Sequence, residues 1–127
     1  MKKILLITFS LVFLFTLAAC GNVDDETAEH YINEATDIVT LLNEGNTEEV
    51  QTMFDEEMKG NLSEYDLREL SSYIEQSGNF KEIDKSSVEE QDELYTTVLV
   101  TNYSEGSRIF TITFNQNDEV TGLFVNE

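Results

Sequence analysis

Sequence periodicity divides this chain into a helical half and a strand half, which predicts an α+β fold with N-terminal helices packed on an antiparallel β-sheet. Three observations carry that reading. Apolar residues between Ala28 and Leu42 recur at helical spacing. A capping sequence opens another helix at Ser63. Beyond Gly78 the apolar period drops from about 3.6 to 2, the mark of strands.

The first helix is read from Ala28, Tyr31, Ile32, Ala35, Ile38, Val39 and Leu42, a single stripe on one face. Acidic residues ahead of it suit the positive end of the helix dipole, and Gly45 is placed to stop it. A second helix is expected from Thr47 as N-cap, with Val50, Met53 and Phe54 inward and an interruption at Lys59-Gly60-Asn61. The third starts at Ser63, with Asp66 at the capping-box position and Leu62 and Leu67 as a hydrophobic staple. Asp is shorter than the usual Glu or Gln, so the reciprocal bond is expected to be the weaker half of that box. Leu67, Leu70, Tyr73 and Ile74 form its inner face, and Gly78 is read as its C′ residue.

Strands are expected over residues 80–88, a weak one, and over 94–103, 108–114 and 120–125, with turns at Glu105-Gly106 and Asn117-Asp118. Two-residue loops there set Thr101 opposite Phe110, Leu99 opposite Ile112, Ile112 opposite Leu123 and Phe110 opposite Val125. One face then gathers Tyr95, Leu99, Tyr103, Phe110, Ile112, Phe114, Leu123 and Val125 and must pack on the helices. The other carries Val98, Val100, Ile109, Val120 and Phe124 among Thr111, Thr113 and Asn102. That is more apolar than solvent exposure selects, and the cover expected for it is a partner, most economically a second copy in a homodimer.

The start of the chain carries an address. Lys2 and Lys3 precede an apolar run broken only by Thr8, Ser10 and Thr16, and small residues follow, the pattern of a secretory signal. The run is shorter than the roughly 20 apolar residues that span a bilayer core. It ends in Leu17-Ala18-Ala19-Cys20, which resembles the bacterial lipobox. The resemblance implies cleavage between Ala19 and Cys20 and a diacylglyceryl group on the Cys20 thiol. A lone cysteine has no disulfide partner within its own chain. The expected organisation is a signal peptide over residues 1–19, the lipidated Cys20 with a short acidic tether and helix start over 20–27, and one α+β domain over 28–127. The protein is thus expected at the cell membrane, lipid-anchored on the extracellular side, with a tether reaching at most about 25 Å.

Composition narrows the partners. The chain holds 26 acidic and 7 basic residues, for a formal charge of −19, and losing Lys2 and Lys3 makes it more negative still. Such a surface repels phosphate backbones, which excludes nucleic acid, and repels anionic head groups, which leaves the acyl chains to hold the membrane. The acidic clusters Asp55-Glu56-Glu57, Glu89-Glu90 with Asp92-Glu93, and residues 115–119 lack the alternating ligands and central Gly of a calcium loop. They are read as solvated charge, and no motif calls for a metal or a cofactor.

Several stretches together resemble the family of domain of unknown function 3887, whose members include small Gram-positive lipoproteins. They are Tyr31-Ile32 with Leu41-Leu42-Asn43-Glu44-Gly45, residues 50–58, Gly78-Asn79-Phe80-Lys81 with residues 95–100, and residues 114–123 with Gly122. The order of helices and sheet is similar to the nuclear transport factor 2-like cone fold, which implies a curved sheet. The resemblance implies a noncatalytic module for a small apolar ligand or a protein partner, and brings no catalytic residues with it. The alternative is an enzyme with an isomerase- or hydrolase-like cone pocket, drawing on His30, Tyr31, Asp37, Tyr65, Tyr73, Tyr95 and Tyr103. A polar dyad at the bottom of a cavity distinguishes the enzyme; core packing by itself accounts for the spacing of the tyrosines.

Replacing the thiol tests the anchor. Cys20→Ser is expected to leave a full-length precursor without lipid, read by mass spectrometry of the membrane fraction; normal processing and lipid labelling of that variant would remove the anchor.

Overall fold

A computed structural model describes residues 23–127. Ala19, Cys20 and the signal stretch lie outside the described residues. The elements are α1 (Asp25–Asn43), α2 (Thr47–Thr52), α3 (Glu56–Asn61), α4 (Glu64–Glu75), β1 (Phe80–Gln91), β2 (Leu94–Tyr103), β3 (Gly106–Phe114) and β4 (Val120–Asn126). The strands form one antiparallel sheet in the order β1-β2-β3-β4. The helices cover one face of it, so the chain is α+β as read. Among the described residues no helix is long and apolar enough to cross a membrane.

Helix α1 reaches back to Asp25, into the stretch read as tether and helix start, because Asp24 caps it by accepting from the Thr27 N–H at 2.9 Å. Its stripe is buried at Tyr31, Ala35, Ile38, Val39 and Leu42. Gly45, at φ 75°, ends the turn that follows.

The second helical segment departs from expectation twice. Its N-cap is Asn46, and Thr47 is a buried first-turn residue. The break falls at Met53–Asp55 and leaves Lys59-Gly60-Asn61 inside α3. The cause is tertiary. The Val120 N–H donates to the Met53 carbonyl at 2.8 Å, and the Asp55 N–H to the Val120 carbonyl at 3.0 Å. Phe54 becomes a bridge residue to the sheet, and Asp55 caps the next helix through the Met58 N–H.

At α4 the capping box is complete. Asp66 accepts from the Ser63 N–H at 3.0 Å, and the Asp66 N–H reaches Ser63 Oγ at 3.2 Å. The reciprocal bond, expected to be the weaker, is the shorter, because Asp66 also receives the Ser63 hydroxyl at 3.0 Å. Gly78 lies one residue further from the helix end than a C′ position, with Gln76 as C-cap. At φ 90° and with Ser104 Oγ where a Cβ would stand, the position requires glycine.

In the sheet the β3–β4 register is as read, Ile112 opposite Leu123 and Phe110 opposite Val125. Between β2 and β3 it is not. Leu99 faces Phe110 and Thr101 faces Arg108, because the hairpin loop is Ser104-Glu105. The carbonyls of Asn79 and Ser77 hold that loop by accepting from the N–H groups of Ser104 at 2.7 Å and Glu105 at 2.8 Å. A slip of two keeps every side chain on its face, so the apolar face survived the error. A bulge beside Phe114 does the opposite for Val120, which was read onto the outer face and is buried against the helices. Strand β1 is longer than expected; two register shifts scramble its alternation, which explains its weak pattern. It meets β2 through Asp92-Glu93, both at positive φ, a strained arrangement for residues other than glycine.

The core lies between α1 and the sheet, with Ile38, Leu42, Leu99, Phe110 and Ile112 at 0 % exposure. Emptying its centre by Phe110→Ala is expected to cost about 3–5 kcal/mol, the usual value for a buried aromatic, measured by chemical denaturation. A loss under about 1 kcal/mol would contradict the packing at that site.

Candidate functional site

The residues considered for chemistry separate into groups. Tyr95 and Tyr103 stand near opposite ends of β2, about 26 Å apart along a strand. Asp37 and Tyr65 are exposed on their helices. Tyr103 is buried and donates to Asn43 Oδ1 at 2.7 Å, with Phe80 edge-on beside it. Tyr73 lies beneath the Arg108 guanidinium.

Only His30, Tyr31 and Tyr95 come together, and Asp118 joins the first two. His30 Nε2 lies 2.8 Å from Asp118 Oδ2, and the Tyr31 hydroxyl donates to Oδ1 at 2.8 Å. The Tyr31 ring stacks on Tyr95 at 4.4 Å between centroids and leans on Phe114 at 5.2 Å. Asp118 was legible only as a turn residue; its partners are 87 and 88 positions away in sequence. His30, Tyr31 and Asp118 stand at hydrogen-bond distances from one another's polar atoms through the Asp118 carboxylate. The His30 and Asp118 side chains are 47 % and 41 % exposed, so the pair stands at the surface. Its evident work is to clasp the β3–β4 turn to α1.

Burial, then the bond to the Asp118 carboxylate, holds the Tyr31 phenol well above its ordinary value near 10. Burial raises Tyr103 as well.

Two of the three acidic clusters are locally occupied. Asp55 caps α3, and Glu56 pairs with Lys59 at 3.6 Å. In the β3–β4 loop Asn115 Oδ1 accepts from the N–H groups of Asn117 and Glu119, while its amide reaches Glu119 Oε1 at 3.0 Å. Among the described residues no three of His, Cys, Asp and Glu converge as metal ligands would.

The outer sheet face differs from the rest of this acidic surface. On β2 it presents Thr96, Val98, Val100 and Asn102, and their partners on β3 are Thr113, Thr111, Ile109 and Ser107. On β4 it presents Gly122, Phe124 and Asn126. None of these carries a charge. Val98, Val100 and Ile109 are half-buried, and Phe124 is 67 % exposed. Charged residues on this side begin on the edge strand β1, with Glu82, Lys85 and Glu89.

A tyrosine whose folded value is raised contributes stability below its unfolded value near 10, and that contribution is lost as pH climbs toward the folded value. Melting temperature is therefore expected to fall as pH rises past about 10, and Tyr31→Phe, with no phenolic proton to lose, to flatten that decline. An alkaline profile unchanged by the substitution would contradict the Tyr31–Asp118 clasp.

No curated protein and no solved structure matches the chain. The sequence profile of the family described as protein of unknown function (DUF3887) matches residues 35–123, which run from the middle of α1 into β4. That span covers the core of the helix layer and most of the sheet, and the chain belongs to the DUF3887 family.

Proposed function

We propose that this protein is a lipid-anchored, extracellular and noncatalytic interaction module that pairs with a second copy of itself through the outer face of its sheet. The observation that carries the reading is the uncharged stretch across β2, β3 and β4 in a chain with 26 acidic residues. Two such chains repel each other over most of their surface. They meet without opposing carboxylates only where none are present, and interface centres are depleted of charge for the same reason.

The anchor supports the same reading. Leu17-Ala18-Ala19-Cys20 has the form of a lipobox, and acyl chains on Cys20 would confine the copies to one plane and raise their effective concentration. Because α1 is capped at Asp24, the stretch from Cys20 to the cap spans at most about 14 Å. A cone of the nuclear transport factor 2-like kind is the proposed fold relation, supported by the order of helices and strands and by the bulges in β1 and beside Phe114, which bend a sheet. The space between helices and sheet is filled by Leu99, Phe110, Ile112, Phe114 and the α1 stripe, which favours a protein partner over a small apolar ligand held inside.

A photo-crosslinking amino acid at position 124 of the full chain in its own membrane tests the pairing. The expected product is a crosslinked species of twice the mass containing only this chain, at several times the yield from position 65 on α4, where Tyr65 is 63 % exposed. Equal yields from both positions, or a product of another mass, would overturn the pairing.

A further inference from the structure

Among the described residues Arg108 is the basic residue that folding buries. It stands on the core face of β3, in line with Phe110 and Ile112, with its side chain 5 % exposed. Its guanidinium lies 4.0 Å above the Tyr73 ring, and one terminal nitrogen donates to the Tyr73 carbonyl at 3.1 Å. The Nε–H has no partner among the described residues. The other terminal nitrogen meets Glu127 Oε2 at 3.3 Å, through a side chain that is 79 % exposed.

That set of partners is incomplete for a buried cation. Burial of a guanidinium is ordinarily matched by a well-placed, buried carboxylate, preferably a bidentate one. This chain, with 26 acidic residues, supplies only the single contact from the exposed Glu127, and an ion pair to so exposed a partner is weak. Meanwhile the Tyr73 ring and carbonyl hold the guanidinium in one orientation, so a ligand does not have to order it.

Arg108 also lines an open cleft of about 400 Å³ between the end of α4 and the β2–β3 turn. Ser77 and Gln76 line it beside Arg108, and Glu105 and Glu127 stand at its rim. The volume is that of a small-molecule site. We propose that this cleft binds a small carboxylic acid, whose carboxylate takes the place of Glu127 on the Arg108 guanidinium while the Ser77 hydroxyl and the Gln76 amide meet its polar substituents. Glu127 is then a tethered competitor. The acidic rim repels anions that do not reach the guanidinium, which makes the site selective for shape as well as charge.

The chain has two arginines, Arg68 and Arg108, so both side-chain Nε–H signals are assignable in an ¹H–¹⁵N spectrum of the lipidated chain in micelles. Succinate replacing chloride at constant ionic strength is expected to shift the Arg108 signal saturably and to leave the exposed Arg68 signal in place. Glu127→Gln, at an exposed position that does not threaten folding, is expected to tighten succinate binding at least threefold, and sulfate to bind more weakly than succinate. Parallel unsaturated drift of both arginine signals, succinate affinity unchanged or weakened in Glu127→Gln, or sulfate binding as well as succinate would each overturn the proposal.

Discussion

Backbone hydrogen bonds fasten the helical layer to the sheet at both of its ends, and the remaining geometry follows from where they fall. At one end Met53 and Asp55 exchange bonds with Val120; at the other the carbonyls of Ser77 and Asn79 receive the N–H groups of Ser104 and Glu105. The α2–α3 break and the β2–β3 turn therefore fall where these partners stand. Between the junctions apolar burial does the rest. Phe110 and Ile112 on the central strand β3 meet Ile38 and Leu42 of α1 with no exposed surface.

The same junctions organise the surface. The Ser77–Glu105 contact brings the end of α4 beside the β2–β3 turn, so that the Tyr73 ring and carbonyl lie against Arg108 and a cleft opens next to them. The Met53–Val120 contact holds the first residue of β4 against α2 and α3. Beyond the bulge the strand returns to its ordinary alternation and presents Phe124 outward. At that end of the sheet Asp118 ties its turn to α1 through His30 and Tyr31. Packing and polar contacts thus divide the molecule into a filled interior, an acidic periphery, an uncharged sheet face and a polar cleft over a buried cation.

Much of the fold was legible because local chemistry repeats. The α1 stripe, the Ser63–Asp66 capping box and the alternation in β2 and β3 each carry their signal within a few residues. Position along the chain was harder to read where distant groups compete. The hairpin loop was read at Glu105-Gly106 from turn propensity, and the carbonyls of Ser77 and Asn79 select Ser104-Glu105 instead. Val120 was read onto the outer face because strict alternation has no place for a bulge. His30 and Tyr31 were named as candidates; Asp118, which joins them, was visible only as a turn former. Arg108 was noticed as the start of a strand and not as a buried cation, although a charged residue in phase with Phe110 and Ile112 was a usable sign.

By itself the amino-acid order determined the class of fold, the faces β2 and β3 turn to the core, the family's pattern of spaced apolar and glycine positions, and the strongly negative charge, since all of these depend on composition or on neighbours a few positions apart. Tertiary structure alone decided the register between β2 and β3, the break before Asp55, the inward turn of Val120 and the groups around Asp118 and Arg108. Those choices are settled by hydrogen-bond partners and buried contacts that lie tens of residues away, and no local preference encodes the distance between them.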